Sequence, residues 1–536
     1  MSMLRLYIST VIHLKPSQIA YRVWRRLGGR TRLRLGYSPS PDPSRADVSR
    51  VPTLPELDFD LAFLSRFDVD EILADRIELL HHEEAIDWSV SWHEPLSTPL
   101  WRFNLHYCEY LLPLAKAYLD TGDTRYLDKG KAIIRLWIGS CPRARGGSAW
   151  DPYVISMRVV NWLAFYGELR IDLNRDGEFV ELFNRSLAEQ FFHLSQHLEK
   201  DLLANHYLEN LKGLVILSCY FDDERTLSLA LPKLYGQVDE QVLPDGMHFE
   251  LSPMYHKVVL EDLLRVATCL IAYDRDADEI TKRLRLQDMC DCLWSLERNT
   301  DRTPLFNDSG DNVAKSRDAI LCCARKRFDI DPVFKDTLPD AGYYVLERQT
   351  EGGMAKVIFD AGMPGPEYAL GHAHCDALSF EAFLDSAPIV VNGGTFAYQD
   401  EARLSYKRTE AHNTIQVFCV EQSECWAPFR MARHSRCKGR LLAESGFEGI
   451  MVDQKGNRIT RRAELDEKGI LTVEDSAESS CCIISRVNLL KRLMPPEVQP
   501  ARYSPEFGVE HCAVRFEKTG RGFVSTKVDL VSQTVA

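Results

Sequence analysis

The chain has 536 residues, 45% of them hydrophobic, so it can bury a large core and is too long for one ordinary domain. Its formal net charge of −13 argues against general nucleic-acid binding, although a locally basic cleft could still hold an acidic substrate. The 15 cysteines include no CxxC pair, which excludes a zinc ribbon and a disulfide framework and favours a reducing compartment.

Residues 1–34 form a strongly basic segment, with eight Lys or Arg residues and no acidic residue before Asp42. Helical spacing relates the apolar residues Ile19, Val23, Trp24 and Leu27. This pattern fits a basic amphipathic helix on a membrane surface or an acidic partner. It also fits a helix packed on the body of the protein with its basic face in water, which is the interpretation we favour.

The apolar part of this segment is short, is interrupted by Arg5 and His13, and lacks a small-residue cleavage site. We therefore expect it to be retained rather than removed as a signal peptide, with a cytoplasmic or peripheral-membrane location and a periplasmic one as the alternative. The Pro/Ser-rich stretch at 36–58 predicts a linker or surface loop, which completes an N-terminal unit of residues 1–58.

The next unit, residues 59–335, is predicted to be helical. Its apolar residues recur with a helical period, as in the stripe of Leu187, Phe191, Leu194 and Leu198. Many helices joined by short loops suggest a helical array or toroid. From about residue 341 the period changes to two, as in AKVIFDAG and LSFEAFLD. Residues 336–536 are therefore predicted to form an all-β domain, a sandwich.

Two stretches of the helical unit, WRFNLHYCEY and WDPYVISMRVVNW, combine aromatic rings with hydrogen-bond donors. Sugar rings need both, because their apolar faces stack on aromatic rings and their hydroxyls pair with polar groups. We predict a saccharide groove here, the alternative being an aromatic core with a few satisfied polar groups. The candidate substrate-binding residues are Trp101, Asn104, His106, Tyr107, Tyr153, Arg158, Asn161 and Trp162.

The stretch NHYLENLKGL predicts a helix start that also carries chemistry. Asn205 is expected to be the N-cap, with His206, Glu209 and Asn210 in the first turns. His206 and Glu209 are three residues apart and can face the same way. A helix N-terminus receives a carboxylate well, whereas plain capping would explain Asn205 alone.

In DGMHFELSPMYH, Ser252 and Pro253 predict a helix start. Tyr255 then falls in the first turn, where the positive end of the helix dipole favours a phenolate. Such a tyrosine can transfer a proton, although an ordinary core or surface tyrosine is an equal alternative. Glu250 precedes this start and is a further candidate for binding substrate.

The stretch GHAHCDALSFEAFLD begins with two histidines and continues as an alternating strand. On the residues alone it fits a metal site, a catalytic site or a strand that happens to begin with histidines. The alternation places Leu378, Phe380, Ala382 and Leu384 on one face of that strand.

Seven stretches in this order resemble the bacterial heparinase II/III family of polysaccharide lyases, over about residues 100 to 430. They are FNLHY, PYVISMRVVNW, NHYLEN, DGMHFELSPMYH, GHAHCDALSFEAFLD, VNGGTF and AHNTIQV. The resemblance implies a multidomain α + β fold, with an incomplete (α/α) toroid followed by an antiparallel β-sandwich. It also implies β-elimination of an acidic, uronic-acid-containing polysaccharide.

By resemblance, Tyr255 is the proton-transfer residue and His372 is the second catalytic group and alternative base. The substrate carboxylate is neutralised by Asn205 with His206, and Glu209 orients a substrate group or His206. Asn210 and Glu250 are grouped with the substrate-binding residues. We expect no organic cofactor, and the acidic composition argues against a nucleic-acid partner.

The family also contains zinc-binding members, and His374 and His412 are the candidate ligands here. Those members have an aspartate in the VNGGT region, where this chain has Asn392, a poorer zinc ligand. Asp376 could substitute, so we expect at most one structural zinc ion. The neighbouring RLSYKR stretch, residues 403–408, could add charge to the groove, but we expect it to be a solvated loop.

Three other functions fit parts of the sequence. A cupin would use the H-x-H pair with Glu381, but leaves the helical half unexplained. A glycoside hydrolase could use Asp245 and Glu250 as paired carboxylates. A non-catalytic or hydrolytic protein of capsule or exopolysaccharide biosynthesis fits the retained basic N-terminus.

Overall fold

The computed structural model describes residues 3–26, 40–93, 98–398, 400–443, 445–478, 480–490 and 498–535. Its N-terminal region is helical and its C-terminal region consists mainly of antiparallel sheets. Eighteen α-helices are described, bounded as follows: α1 Met3–Val11, α2 Pro16–Arg26, α3 Pro55–Asp58, α4 Leu61–Leu64, α5 Val69–Leu73, α6 Pro99–Tyr107, α7 Leu111–Thr121, α8 Thr124–Ser140, α9 Pro152–Glu168, α10 Arg170–Leu173, α11 Gly177–Gln196, α12 Ala204–Tyr220, α13 Glu224–Gln241, α14 Pro253–Ala272, α15 Ala277–Arg283, α16 Leu286–Glu297, α17 Arg317–Phe328 and α18 Asp400–Lys407.

The strands form two large antiparallel sheets and two small hairpins. The described strands are β1 Arg76–Leu79, β2 His82–Ala85, β3 Thr337–Leu338, β4 Tyr343–Thr350, β5 Gly353–Asp360, β6 Phe380–Leu384, β7 Ala387–Val390, β8 Ile415–Val417, β9 Cys425–Ala427, β10 Arg430–Met431, β11 Arg436–Leu442, β12 Gly446–Val452, β13 Arg458–Leu465, β14 Ile470–Ala477, β15 Cys482–Leu489, β16 Gln499–Glu506, β17 Val509–Arg521, β18 Phe523–Asp529 and β19 Thr534–Val535. The larger sheet has the order β16-β17-β15-β7-β6-β5-β4-β3, with β8 also paired to β15. The smaller sheet has the order β11-β12-β13-β14-β18-β19.

Helix α12 lies deep in the helical region. Its buried charges are paired, because Lys212 forms ion pairs with Glu209 and Asp262. All of its residues are buried except His206. Since His206 interrupts this pattern at the N-terminal end of α12, that end is where the helix reaches an accessible surface.

The two large sheets share one apolar core. Phe359 of the larger sheet stacks on Phe447 of the smaller one, with ring centroids 4.2 Å apart. Arg461 of β13 crosses this core and forms a buried two-point ion pair with Asp475 of β14, at 2.8 Å. It also donates to the carbonyl oxygen of Asn413 at 2.7 Å, which ties the smaller sheet to the loop before β8.

The helical and sheet regions are fastened together by buried polar contacts. Lys356 of β5 is fully buried and donates to three carbonyls at the end of α16, those of Ser295, Leu296 and Arg298, at 2.6–2.9 Å. Burial lowers the pKa of this lysine to about 7. Residues near the boundary are therefore held in fixed relative positions.

The described part of the Pro/Ser-rich stretch, residues 40–58, follows the surface of the helical region. Leu54 and Leu57 are buried in its core, and the Asp47 amide donates to the Tyr220 carbonyl at 2.9 Å. Leu27 and residues 36–39 lie outside the described residues, as does the side chain of Trp24. No helix in the described ranges combines the length and hydropathy needed to cross a bilayer.

Candidate active site

Helix α14 begins as the sequence predicts and presents Tyr255 at the boundary of the two regions. Ser252 caps the helix by accepting a hydrogen bond from the Tyr255 amide at 3.2 Å, and Pro253 is the first helical residue. The Tyr255 hydroxyl lies 2.6 Å from the hydroxyl of Tyr398. Burial raises the pKa of Tyr255, so the expected phenolate is corrected to a neutral phenol.

His372 reaches Tyr255 from the sheet region. The two rings are tilted, with centroids 4.3 Å apart. His372 Nδ1 lies 2.7 Å from Asp308 Oδ2, and its side chain is 14% exposed. Because the carboxylate accepts a hydrogen bond from Nδ1–H, the other ring nitrogen, Nε2, is left free to accept a proton.

Asp308 is the hub of this site and was absent from the sequence prediction. Its Oδ2 accepts hydrogen bonds from His372 Nδ1 at 2.7 Å and from the Arg403 guanidinium at 2.6 Å. Its Oδ1 accepts a hydrogen bond from His374 Nε2 at 2.8 Å. Burial acts to raise the pKa of this carboxyl. The Arg403 guanidinium and the two histidine hydrogen bonds outweigh burial and hold the pKa well below its usual range.

Asn205 lies in the first turn of α12, but it is not the helix cap. The helix begins one residue earlier, at Ala204, and its N-cap residue, Leu203, makes no side-chain cap. Leu203 and Ala204 have φ values of 63° and 50°, a left-handed conformation that costs free energy in residues with a side chain. Asn205 donates instead to Glu250 Oε2 at 3.1 Å.

His206 is held by a carboxylate that the sequence analysis also missed. Its Nδ1 lies 3.0 Å from Glu199 Oε1, and Asn210 donates to the other Glu199 oxygen at 2.9 Å. Burial acts to lower the pKa of His206, but the Glu199 carboxylate outweighs it and raises that pKa. The expectation that Glu209 orients His206 is wrong, because Glu209 forms a buried ion pair with Lys212 at 2.5 Å.

The predicted saccharide groove is only partly formed by the residues proposed for it. Four of them, Trp101, His106, Arg158 and Trp162, are at most 1% exposed and belong to the core. They make internal contacts: the indole Nε1 of Trp101, for example, donates to the His82 carbonyl at 2.9 Å. Arg158 likewise donates to Gln190 at 2.9 Å, so these four side chains have no surface to offer a sugar.

The remaining four proposed groove residues differ in their surroundings. Tyr153 is half-buried, and its ring is tilted against that of His206 with centroids 4.6 Å apart. The ring of Tyr153 also lies 6.2 Å from that of Tyr107. Asn161 donates to the Tyr107 carbonyl at 2.9 Å, so it supports that residue from behind. Asn104 lines a separate cavity of about 260 Å³ with Phe507, whose ring contacts Tyr398.

The RLSYKR stretch is not the solvated loop that we expected. Arg403, Tyr406 and Lys407 are buried, and Arg408 is exposed. Arg403 is buried because its guanidinium pairs with Asp308 and its Nε donates to the Pro428 carbonyl at 2.7 Å. Its charge therefore organises the site from inside the protein.

A candidate metal site lies directly behind Asp308. One donor atom from each of His374, Asp376 and His412 falls within 4.8 Å of the others, and all three residues are buried. Neither ring nitrogen of His412 makes a hydrogen bond of normal geometry to a described residue, and the same is true of His374 Nδ1. Two imidazole nitrogens and a carboxylate suit zinc, so these residues fit the ion.

Asn392, predicted from the sequence as the third ligand, is buried and both ends of its side chain make hydrogen bonds. Its side-chain oxygen accepts from the Asn413 amide at 3.1 Å, and its nitrogen donates to Ser379 at 3.3 Å. Glu381, the ligand of the cupin alternative, is also engaged elsewhere, by the amides of Leu305 and Asn392 at 3.0 and 2.8 Å.

A tyrosine and a carboxylate-held histidine thus meet where a helical region contacts antiparallel sheets, an arrangement suited to proton transfer. Glu250, which is hydrogen-bonded to Asn205, lies near both His372 and His206: burial raises its pKa, and the charges of the two histidines act to lower it. Comparison with known proteins agrees with this class. The family model described as "Heparinase II/III N-terminus" matches residues 60–331. The family model described as "Heparinase II/III-like, C-terminal" matches residues 335–481. The chain belongs to the heparinase II/III family.

Two curated relatives are both called heparin-sulfate lyase. The one from Pedobacter heparinus is 24% identical over 346 residues, which is 59% of this chain and 52% of the relative. The one from Bacteroides thetaiotaomicron is 22% identical over 269 residues, 46% of this chain and 37% of the relative. The chain thus matches about half the length of the first relative.

Solved structures share the fold over almost the whole chain. A crystal structure of heparinase III aligns with a TM-score of 0.69 at 15% identity, covering 97% of this chain and 93% of that one. A heparan sulfate lyase mutant from Pedobacter heparinus aligns with a TM-score of 0.58 at 18% identity, covering 95% and 87%. These likenesses establish the helical and antiparallel-sheet architecture.

Proposed function

We propose that this protein is a polysaccharide lyase that cleaves a uronic-acid-containing polysaccharide by β-elimination. The observation that carries the proposal is the pairing of Tyr255 with His372, whose rings lie 4.3 Å apart at the meeting of the two regions. Family membership and the curated lyases support the same reaction class. We also infer that the helices form an incomplete (α/α) toroid and the two sheets a sandwich.

Each proposed step uses a group whose state follows from its contacts. His372 Nε2 accepts the proton from C5 of the uronate, since Nδ1 is occupied by Asp308. The electron pair of the C5–H bond forms the C4=C5 double bond as the C4–O4 bond breaks. Tyr255, a neutral phenol, donates its proton to the departing O4.

Removal of the C5 proton requires that the neighbouring carboxylate be neutralised. We assign this role to Asn205 and His206, which lie in the first turn of the buried helix α12. A raised pKa favours the positively charged form of His206, which suits an anionic ligand. Glu250, hydrogen-bonded to Asn205, fixes the direction in which that amide points.

The hydrolase alternative is weaker on the contacts of its two carboxylates. Inverting or retaining hydrolysis needs two carboxyl groups that are both free to act on the sugar. Asp245 instead accepts hydrogen bonds from the amides of Met247 and Ala341, at 3.2 and 2.7 Å. Glu250 then has no second free carboxyl group of the proposed pair with which to carry out hydrolysis.

We further propose that His374, Asp376 and His412 hold one structural zinc ion. A bound zinc would supply fixed positive charge and rigidity behind the site. Because His374 also bonds to Asp308, the ion would brace the carboxylate that orients His372.

We also propose a substrate from capsule or exopolysaccharide metabolism and a cytoplasmic or peripheral-membrane location, prompted by the basic N-terminal segment.

The test is a panel of uronate polysaccharides, sulfated and unsulfated, in which both unsaturated products and new reducing ends are measured. A lyase raises the ultraviolet absorbance of the unsaturated uronate in step with the reducing ends. Reducing ends without that absorbance would mean hydrolysis and overturn the proposal. Full activity in both Tyr255→Phe and His372→Ala on a cleaved polymer would remove the assigned site.

A further inference from the structure

A second cluster of side chains that could bind a metal ion lies outside the candidate active site. It consists of His13, between α1 and α2, Glu367, between β5 and β6, and His434, between β10 and β11. One donor atom from each residue lies within 4.8 Å of the other two. The three residues are far apart in the sequence, so the cluster exists only because the fold brings these segments together.

The spacing of His13 and Glu367 suits two ligands of one ion. His13 Nδ1 lies 3.7 Å from Glu367 Oε2, whereas a hydrogen bond between nitrogen and oxygen is about 2.7–3.2 Å long. Two atoms bound at about 2.0–2.1 Å to a tetrahedral zinc ion are roughly 3.3 Å apart. An ion between the two side chains would therefore require only a small inward movement of each.

The third residue, His434, is oriented as a metal-binding histidine usually is. Its Nδ1 lies 3.1 Å from the carbonyl oxygen of Ser435, which can only accept, so the proton is on Nδ1. Nε2 then carries the lone pair that a metal ligand needs. Histidine ligands commonly donate their other ring N–H to a carbonyl or carboxylate in this way. The rings of His434 and His13 have centroids 5.5 Å apart.

Neighbouring contacts hold the ligand segments in place. Lys15 pairs with Glu240, and its ammonium nitrogen lies 4.2 Å from the centre of the Tyr368 ring. Tyr368 in turn donates a hydrogen bond to Glu240. On α1, Tyr7 packs against Trp426 with ring centroids 5.0 Å apart. His13 and Glu367 are therefore kept close to each other by contacts in which neither of them takes part.

We propose that His13, Glu367 and His434 bind one zinc ion, with water as the fourth ligand. Two imidazole nitrogens and a carboxylate suit zinc. The side chains of His13 and Glu367 are 24 and 62% exposed, which gives the ion and the water a path from solvent. The ion would tie the N-terminal helix pair to the sheet region and to the segment that leads to His372. It is separate from the buried cluster behind Asp308, since the two clusters share no residue.

The test is the zinc content of the full-length protein after equilibration with zinc and removal of the excess, measured by elemental analysis. The His412→Phe background isolates the new site, because there the buried cluster has lost a ligand. We expect about one equivalent of zinc in this background and an at least tenfold lower content when His13→Gln or His434→Gln is added. The matched control is His82→Gln, at a 55% exposed histidine 2.8 Å from Glu84, which should keep the zinc.

Hydrogen exchange of residues 3–26 in the parent provides a second measurement. Zinc should slow exchange in α1 and α2 of the parent but not in His13→Gln or His434→Gln, since the ion anchors the helix pair. The proposal is overturned by equal zinc content with and without His13, by equal loss in the His82→Gln control, or by exchange in α1 that is the same with and without zinc. Thermal unfolding of each variant checks the fold. Because these changes lie outside the proposed catalytic residues, the lyase activity is separately testable.

Discussion

Asp308 and His372 form the contact that couples the two halves of the site, with Oδ2 2.7 Å from Nδ1. Asp308 belongs to the loop between α16 and α17, whereas His372 belongs to the segment before β6. The same carboxylate also accepts from His374. The two neighbouring histidines therefore have separate tasks but one common support.

Asp308→Asn should damage both stability and turnover. The amide cannot replace a carboxylate that neutralises Arg403, and a buried charge left without its partner costs about 3–5 kcal/mol. In the folded fraction kcat should fall much more than KM changes, because His372 loses its orientation. Denaturant unfolding and steady-state kinetics on a cleaved polymer measure the two effects.

The matched control for this change is Asp318→Asn, at a side chain that is 81% exposed and forms an ion pair with its neighbour Arg317. We expect its unfolding free energy to stay within about 0.5 kcal/mol of the parent value. Equal unfolding free energies for the two variants would show that Asp308 is not the buried hub described above.

Glu199→Gln should lower the pKa of His206. In the parent protein that pKa is raised by the Glu199 carboxylate against the effect of burial. A histidine whose pKa is higher in the folded than in the unfolded protein stabilises the fold at pH values below its unfolded-state pKa. This stabilisation is lost as the pH rises through the folded-state pKa. In the variant, His206 should lose its positive charge at a lower pH than in the parent. The alkaline limit of the activity profile should therefore move to lower pH.

NMR titration of the histidine ring protons is the direct measurement, with Glu189→Gln on the neighbouring helix α11 as the exposed control. An unchanged His206 titration in the Glu199 variant would contradict the assignment. If the titration changes but the activity profile does not, the Glu199 contact stands and His206 does not take part in substrate binding.

Local features of the fold were predictable because they depend on nearby residues. The Ser252–Pro253 cap and the change of period near residue 341 both follow from local physical chemistry, and the helical and sheet regions follow from the period. The N-cap at Asn205 was wrong because Leu203 and Ala204 adopt left-handed conformations that no propensity rule assigns to them.

The supporting residues could not be predicted, because their partners are distant in sequence. Asp308 lies 64 positions from His372 and 95 from Arg403, so no periodicity connects them. The polar residues of α9 show the converse problem: Arg158 resembles a sugar-binding residue but is satisfied inside the core by Gln190 and two carbonyls. Residue type alone does not distinguish a buried partner from an open ligand.

Tyr255→Phe should abolish most turnover without unfolding the protein. Removing a proton donor from the leaving oxygen costs ~10²–10⁴-fold in rate. Tyr398→Phe is the matched change, because it removes the hydroxyl 2.6 Å from that of Tyr255 but leaves Tyr255 itself in place. Its effect on kcat should be much smaller. A larger loss in Tyr398→Phe than in Tyr255→Phe would assign the proton transfer to Tyr398.

His412→Phe tests the metal proposal without an activity assay. If zinc is bound, elemental analysis of the purified parent should find about one equivalent, and the variant should lose both the zinc and the chelator-sensitive part of its thermal stability. If the site holds no ion, the parent buries a histidine whose ring nitrogens lack hydrogen bonds of normal geometry to the described residues. Replacing such a group by an apolar ring is neutral or stabilising. A metal-free parent and a variant of equal or higher melting temperature would therefore refute the zinc site. In that case Asn392→Asp should add no metal either, because the side chain of Asn392 is already hydrogen-bonded to Asn413 and Ser379.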